Sequence, residues 1–119
     1  MSWVSSPDFW TALERLISES RIIIDRPRNS AHPHYPHVIY PLDYGYLENT
    51  ASMDGSGIDL WRGSLAQPDL CGIVVTADLL KRDSEIKLLL GCTTDEIAVV
   101  LDFHNDSDFM KGLYIPREK

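Results

Sequence analysis

The stretch over residues 40–61, YPLDYGYLENTASMDGSGIDLW, constrains the fold more than any other part of the chain. Its first half is an extended run that carries Tyr40, Tyr44 and Tyr46. The chain then turns through a glycine-rich corner, DGSGID, which carries Asp54 and Asp59. Acids at such a corner can converge with little side-chain bulk around them, which suits an oxygen-ligated Mg²⁺ or Mn²⁺. Because Asp-Gly is also a common hairpin turn, the spacing alone leaves a simple turn as the alternative.

Length and composition predict one domain over residues 1–119. The hydrophobic content of 44% and the charged content of 24% are those of an ordinary globular protein, and 119 residues can build one small core. No apolar run approaches the roughly 20 residues that span a bilayer. The N-terminus, MSWVSSPDFW, lacks a basic start and an apolar signal segment. We therefore expect a cytoplasmic protein without a membrane partner.

The formal net charge of -7 narrows the choice of ligands. A nucleic-acid surface needs a clustered basic face, so we expect no nucleic-acid partner. An acidic pocket also repels phosphate unless bridging metal ions neutralise it. The two cysteines, Cys71 and Cys92, fit no zinc spacing and lie in apolar stretches, which predicts buried free thiols.

Hydrophobic spacing predicts a helix near each end of the chain and short strands between them. A Ser-Pro pair begins a helix over residues 7–18, which carries an apolar stripe. Thr93 and Glu96 form a capping box that begins a second helix over residues 94–102. Apolar, β-branched runs predict strands over residues 21–25, 58–63, 70–76, 85–91 and 113–115.

This order of elements predicts a mainly β, α+β fold. Short strands over residues 21–91 can close into a small barrel with the two helices packed on it, and closure would remove exposed strand edges. Periodicity alone does not distinguish such a barrel from an open α+β sheet.

The loop over residues 28–37, RNSAHPHYPH, is rich in proline and histidine and is expected to be irregular. It carries His32, His34 and His37. Three histidines suggest a transition-metal site, but no cysteine or carboxylate lies beside them at ligand spacing. The pattern therefore argues against zinc.

The segments YPLDYGYLENT and SMDGSGIDLW together resemble the core signature of the family I soluble inorganic pyrophosphatases. That signature reads Tyr-Pro-x-Asn/Asp-Tyr-Gly-Tyr, a threonine four residues on, and then Asp-x-Asp-Pro-x-Asp. The resemblance implies a five-stranded barrel of oligonucleotide-binding-like shape with a metal site at its mouth. It also implies Mg²⁺-dependent hydrolysis of inorganic pyrophosphate by a metal-activated water.

The resemblance implies roles for residues of the signature and beyond it. Asp54 and Asp59 would bind metal and serve catalysis, Tyr44 would orient a ligand or phosphate oxygen, and Lys87 would bind phosphate. The expected substrate contacts are Arg26, His34, Tyr40 and Lys111. His34 falls where the family has a phosphate-binding lysine. Lys111 either matches a Tyr-Lys pair of the family, with Met110 in the tyrosine's position, or is an ordinary lysine in the last turn of a helix.

The resemblance also implies a wider set of metal-binding acids: Asp25, Asp54, Asp59, Asp78, Asp83 and Glu85. Asp25 falls where the family has a glutamate at the end of a strand. Because Arg26 and Arg28 flank it, a surface ion pair is the alternative, and such a pair contributes little stability.

A second acidic loop of the family follows the pattern Asp, five residues, Asp, two residues, Lys. Counting back from Lys87 puts Glu85 at the second acid. The first acid would be Leu80, or Asp78 if two residues have been inserted, and Asp83 competes for the same role. A solvated charged loop is the alternative.

Three departures from the family pattern bear on activity. Ser56 stands where the family has its middle aspartate, Pro36 replaces a glutamate, and a hairpin with a substrate-binding arginine is missing. Arg26 or Arg28 could compensate for that arginine. Losing a positioned base costs about 10²–10⁴ in rate, so we expect a slow enzyme.

Two other functions stay open at this point. The chain could be a degenerate homologue that binds metal or phosphate compounds without turnover, or it could hydrolyse another phosphoanhydride, such as a nucleoside polyphosphate. The expected partner is a small-molecule phosphate substrate, and a homo-oligomer is compatible with the sequence.

Overall fold

A computed structural model describes residues 6–52 and 55–118. Within these residues the chain forms two α-helices and six β-strands. In chain order they are α1 (Ser6–Ser18), β1 (Ile22–Arg26), β2 (Asp43–Leu47), β3 (Asp59–Arg62), β4 (Leu70–Asp78), β5 (Asp83–Leu90), α2 (Thr94–Asn105) and β6 (Met110–Pro116). Neither described helix has the length and apolar character that crossing a bilayer requires.

The strands form one mixed sheet in the order β1-β2-β3-β5-β4-β6. Neighbours are antiparallel except β3 and β5, which are parallel, with Leu60 opposite Leu88. In the described part of the chain β1 and β6 are the two edges of this sheet, so it is open. The expected closed barrel of five strands is therefore wrong, although the mainly β, α+β fold with two packed helices is confirmed.

On the outer edge of β6, main-chain groups of Gly112 and Met110 are hydrogen-bonded to side chains. The side-chain amide of Asn105, at the end of α2, accepts a hydrogen bond from the Gly112 N–H at 3.1 Å. It also donates one to the Gly112 carbonyl at 3.1 Å. Ser107 Oγ accepts from the Met110 N–H in the same way. The first part of the outer edge of β6 is thus satisfied locally and is not free to pair with another strand.

Each helix covers one face of the sheet. On the first face, Trp10 and Leu13 of α1 pack on a cluster that includes Leu47, Leu60, Leu88 and Leu90. On the other face, Val100 of α2 packs on a cluster that includes Tyr40, Trp61, Val74 and Leu89. Because both faces are covered, β5 ends in an unbroken run of buried leucines, as expected for a strand without a solvent side.

The helices lie where the sequence predicts them, with small differences at their ends. The helix expected over residues 7–18 spans Ser6–Ser18, and the helix expected over residues 94–102 continues to Asn105. The capping box is confirmed: the Thr93 hydroxyl accepts from the Glu96 N–H, and the Glu96 carboxylate accepts from the Thr93 N–H. Both cysteines are free thiols, as expected; Cys92 is buried, which raises its pKa to about 12, whereas Cys71 is only half-buried.

Replacing Thr93 with alanine should destabilise the protein by about 1 kcal/mol, because the Glu96 N–H loses its hydroxyl acceptor at the first turn of α2. Urea unfolding of the two proteins measures the difference. Thr94→Ala is the matched control, since Thr94 is exposed and is not the capping residue. Equal losses in the two variants would contradict a specific capping role.

Candidate functional site

Three adjacent strands bring Tyr44, Asp59 and Lys87 together on the face that α2 covers. In β2 and β3, Tyr44 lies opposite Trp61. In β3 and β5, Trp61 lies beside Leu89. Since alternate residues of a strand share a face, Asp59 and Lys87 lie two residues further along the same face. The polar side chains therefore continue directly from the apolar cluster under α2.

The ammonium of Lys87 is the centre of this arrangement. Its Nζ donates to Asp59 Oδ2 at 3.0 Å and to Tyr44 Oη at 2.9 Å. Glu85 Oε2 lies 3.9 Å from the same Nζ. Lys87 and Glu85 are only 7% and 8% exposed. We refer to Tyr44, Asp59, Glu85 and Lys87 as the lysine cluster.

Burial sets the protonation state of the phenol in the lysine cluster. Burial of Tyr44 and the negative charge of Asp59 raise the pKa of the Tyr44 hydroxyl well above its ordinary value. Tyr44 is consequently a neutral phenol over the whole physiological range. It can hydrogen-bond to an anion but does not serve as a base.

A second cation reaches this region from the edge strand β1. Ile24 lies opposite Gly45 and Arg26 lies opposite Tyr44, so the ladder accommodates Asp25 as an extra residue, a β-bulge. The guanidinium of Arg26 donates a hydrogen bond to Tyr40 Oη. It lies 5.3 Å from the ring centre of Tyr40 and 5.9 Å from that of Tyr44. Arg26 and Lys87 thus flank the Tyr44 ring.

The acids predicted from the second acidic loop lie at the end of the β4–β5 hairpin. Asp78 and Asp83 are opposite each other there. Asp78 Oδ1 accepts hydrogen bonds from the N–H groups of Leu80 and Lys81, both at 3.0 Å, and so caps the turn. Of this loop, Glu85 is the acid that joins the lysine cluster. The roles of Asp78 and Asp83 as ligands stay predictions.

The remaining predicted ligands are placed differently. Asp25 is exposed at the bulge of β1, and Asp54 lies outside the described residues. Over residues 6–52 and 55–118, no group of three His, Cys, Asp or Glu side chains is arranged to hold a metal ion.

The donor chemistry can be compared with what Mg²⁺ requires. Asp59 and Glu85 supply hard carboxylate oxygens, which are the ligand type that Mg²⁺ prefers. Both carboxylates lie around the Lys87 ammonium. Asp59 and Glu85 therefore match Mg²⁺ in ligand type, and their roles as metal ligands stay predictions.

Two predicted substrate contacts lie away from the lysine cluster. Lys111 belongs to β6, so the alternative of a lysine in the last turn of a helix is wrong, whereas its role as a substrate contact stays a prediction. Its Nζ donates to the main-chain oxygens of Asn105 and Ser107, where it complements the carboxyl end of α2. His34 is exposed in the loop after β1. The main-chain N–H of His34 donates to His32 Nδ1 at 3.0 Å.

Sequence reasoning missed a buried polar pair beside the lysine cluster. Trp61 Nε1 donates to His104 Nε2 at 3.0 Å, and His104 Nδ1 lies 3.3 Å from Met110 Sδ. Burial and the nearby positive charge of Lys87 lower the pKa of His104 to about 3. A signal was present, because His104 continues the apolar positions Ile97, Val100 and Leu101 of α2 at helical spacing.

Comparison with known proteins identifies the fold. No protein-family model and no curated protein matches the sequence. Among solved structures, an inorganic pyrophosphatase from Coxiella burnetii has a TM-score of 0.61 at 14% identity, over 81% of this chain and 84% of that one. The inorganic pyrophosphatase from Helicobacter pylori has a TM-score of 0.62 at 14% identity, over 82% and 83%. An inorganic phosphatase from Anaplasma phagocytophilum has a TM-score of 0.53 at 12% identity, over 80% and 81%.

These likenesses define the class of fold. The chain has a mainly β, α+β fold similar to that of bacterial inorganic pyrophosphatases. At 12–14% identity the likeness concerns the fold, and the activity has to be argued from the side chains.

Proposed function

We propose that this chain hydrolyses inorganic pyrophosphate to phosphate, slowly and with Mg²⁺ or Mn²⁺. The observation that carries this proposal is the lysine cluster. A lysine, a phenol and two carboxylates lie together on one face of a sheet whose fold is similar to that of inorganic pyrophosphatases.

The metal-binding role falls to the carboxylates. Asp59 and Glu85, together with Asp54, would hold the ion. When bound, the divalent ion supplies charge neutralisation and lowers the pKa of a coordinated water. Both Asp59 and Glu85 are already paired with Lys87, so binding an ion requires Lys87 to turn from them towards the incoming phosphate.

The cations and phenols bind and orient the substrate. Lys87 and Arg26, which flank Tyr44, can each pair with a phosphate oxygen. The neutral Tyr44 hydroxyl can donate a hydrogen bond to a third. Tyr40 holds the Arg26 guanidinium in place through its own hydroxyl. Direct contacts from cations reduce the repulsion that a chain of net charge -7 would otherwise exert on pyrophosphate.

A slow rate is expected from the corner before β3. Ser56 is exposed there and has no carboxylate with which to take a proton from the attacking water. The absence of a positioned base typically lowers a rate by about 10²–10⁴.

Replacing Asp59 with asparagine should lower phosphate release from pyrophosphate by about 10²-fold or more, because the neutral amide would hold the divalent ion less well than the carboxylate. The assay measures phosphate at saturating Mg²⁺. Asp102→Asn is the matched control, since Asp102 is exposed on α2 and should keep the wild-type rate. Equal rates for Asp59→Asn and wild type would refute the proposal.

Binding without turnover is the second candidate function. It is favoured by the position of Lys87, which lies 3.0 Å from Asp59 Oδ2 and 3.9 Å from Glu85 Oε2 and so competes with a metal ion for both. Calorimetry that shows pyrophosphate binding, with no phosphate released over hours, would support this candidate. Turnover above the uncatalysed rate would exclude it.

A further inference from the structure

The loop between β1 and β2 is a built platform despite its prolines. Main-chain hydrogen bonds tie its two arms together: Asn29 N to Tyr40 O at 2.8 Å, Tyr40 N to Ser30 O at 3.0 Å, and His32 N to Val38 O at 2.8 Å. Ala31 and Ile39 form an isolated β-bridge between the same arms. The tip is closed by a bond from Val38 N to Tyr35 O at 2.9 Å. The loop therefore holds its side chains in a defined arrangement.

Four aromatic or imidazole rings project from this loop. They are His32, His34, Tyr35 and His37, and we refer to them as the aromatic platform. The ring centres of His32 and Tyr35 are 5.1 Å apart, those of His32 and His34 are 6.0 Å apart, and those of Tyr35 and His37 are 6.4 Å apart. Tyr35 is 53% exposed, and His34 and His37 are exposed as well. These rings contact one another, and three of the four residues are exposed to solvent.

The aromatic platform is joined to the cationic side of the lysine cluster. The His32 ring stacks on Tyr40 with 11° between the planes and 6.2 Å between the centres. The Tyr40 hydroxyl accepts the hydrogen bond from Arg26. Burial and the charge of Arg26 lower the pKa of His32, so this ring is neutral at physiological pH and is suited to stacking. The exposed Tyr35 ring is thus connected to the Arg26 guanidinium through the rings of His32 and Tyr40, and this guanidinium can bind phosphate.

We propose that this site also accepts a nucleoside polyphosphate, with its base stacked on the aromatic platform and its phosphates at Arg26 and Lys87. Nucleobases are recognised on exposed aromatic and imidazole rings, and this stacking is tolerant of the base. A single nucleotide fits better than a nucleic-acid polymer, because a chain with a net charge of -7 repels a long row of phosphates. The binding of the phosphates at Arg26 and Lys87 rests on the proposed function, whereas the stacking of the base on the aromatic platform does not.

The test compares two non-hydrolysable ligands that differ only in the nucleoside. Isothermal calorimetry with Mg²⁺ measures binding of α,β-methylene adenosine diphosphate and of methylenediphosphonate. The nucleotide should bind about 10-fold more tightly, the gain expected of a stacked base. Tyr35→Ala should remove this difference and leave the affinity for methylenediphosphonate unchanged. Tyr35→Phe, which keeps the ring, should retain it.

Equal affinities of the wild-type protein for the two ligands would overturn the inference. An unchanged nucleotide affinity in Tyr35→Ala would do the same. The exposed position of Tyr35 means that these variants should fold, which circular dichroism checks. If pyrophosphate is not hydrolysed and Tyr35 still sets a preference for the nucleotide, the proposed function fails and this inference stands. If phosphate is released from pyrophosphate and the nucleotide shows no advantage, the reverse holds.

Discussion

Replacing Lys87 with methionine is expected to lower the free energy of unfolding by about 3–5 kcal/mol at pH 7.5. Lys87 is the shared cation of Asp59 and Glu85, and all three side chains are largely buried. Methionine fills a similar volume but leaves two carboxylates in a site with little water. The cost comes mainly from these unpaired charges rather than from lost packing. Urea unfolding monitored by tryptophan fluorescence measures it.

A triple variant separates charge from packing. Lys87→Met combined with Asp59→Asn and Glu85→Gln has no buried charge in the lysine cluster, so it should regain most of the lost stability. A triple variant as unstable as Lys87→Met alone would show that the lysine chain acts through packing. Ile86→Met, at an exposed neighbouring position of β5, controls for the effect of methionine in this strand.

The central side chains of the site could be predicted because each is local to a readable pattern. Tyr44 and Asp59 belong to the stretch of residues 40–61, and Lys87 belongs to the strand predicted over residues 85–91. The sequence does not reveal that β3 pairs with β5. This pairing brings Asp59 beside Lys87, although β4 lies between the two strands in chain order. That pairing is non-local, so no spacing within either strand reveals it.

The predicted set of metal-binding acids illustrates a different limit. Counting along an acidic loop names Asp78 and Asp83 as readily as Glu85. Asp83 and Glu85 are two residues apart on β5, and Asp78 lies opposite Asp83 on β4. The structure brings Glu85 to Lys87 and uses Asp78 to cap the hairpin turn. At Asp25, a one-residue bulge decides whether the acid or Arg26 lies opposite Tyr44. One-residue shifts of this kind leave no mark on hydrophobic periodicity.

The barrel was predicted incorrectly for a related reason. Short strands with turns between them are common to barrels and open sheets, and closure requires the two edge strands to tilt and pair with each other. Here a single side chain, Asn105, satisfies both main-chain groups of Gly112 on the outer edge of β6. The sequence shows an asparagine near a helix end, which is ordinary and does not predict this contact.

Acidification should destabilise the protein through His104. The pKa of this buried histidine is about 3 in the folded protein, against about 6.5 for an unperturbed histidine in the unfolded chain. Between these values the unfolded chain binds the proton and the folded protein does not, so stability falls as the pH falls below about 6.5. Because a shift of one pKa unit corresponds to 1.36 kcal/mol, lowering the pH from 7.5 to 5 should reduce the free energy of unfolding by about 2 kcal/mol.

The variant His104→Gln isolates this contribution. Glutamine can still accept the hydrogen bond from Trp61 Nε1, but it takes up no proton. Other groups also titrate over this range of pH, so the comparison is made between variants. Urea unfolding at pH 7.5 and at pH 5 should show a loss about 2 kcal/mol smaller in His104→Gln than in wild type.

His37→Gln provides the matched control for this measurement, because His37 is exposed in the loop before β2, whereas His104 of α2 is buried. Its loss of stability between the two pH values should equal that of the wild-type protein. An equal loss in His104→Gln as well would mean that His104 takes up its proton without unfolding. The Trp61 indole would then have to give up its hydrogen bond to the imidazole, since a doubly protonated ring has no acceptor. A shift in the fluorescence of the folded protein between pH 7.5 and pH 5, present in wild type and absent from His104→Gln, would identify that outcome.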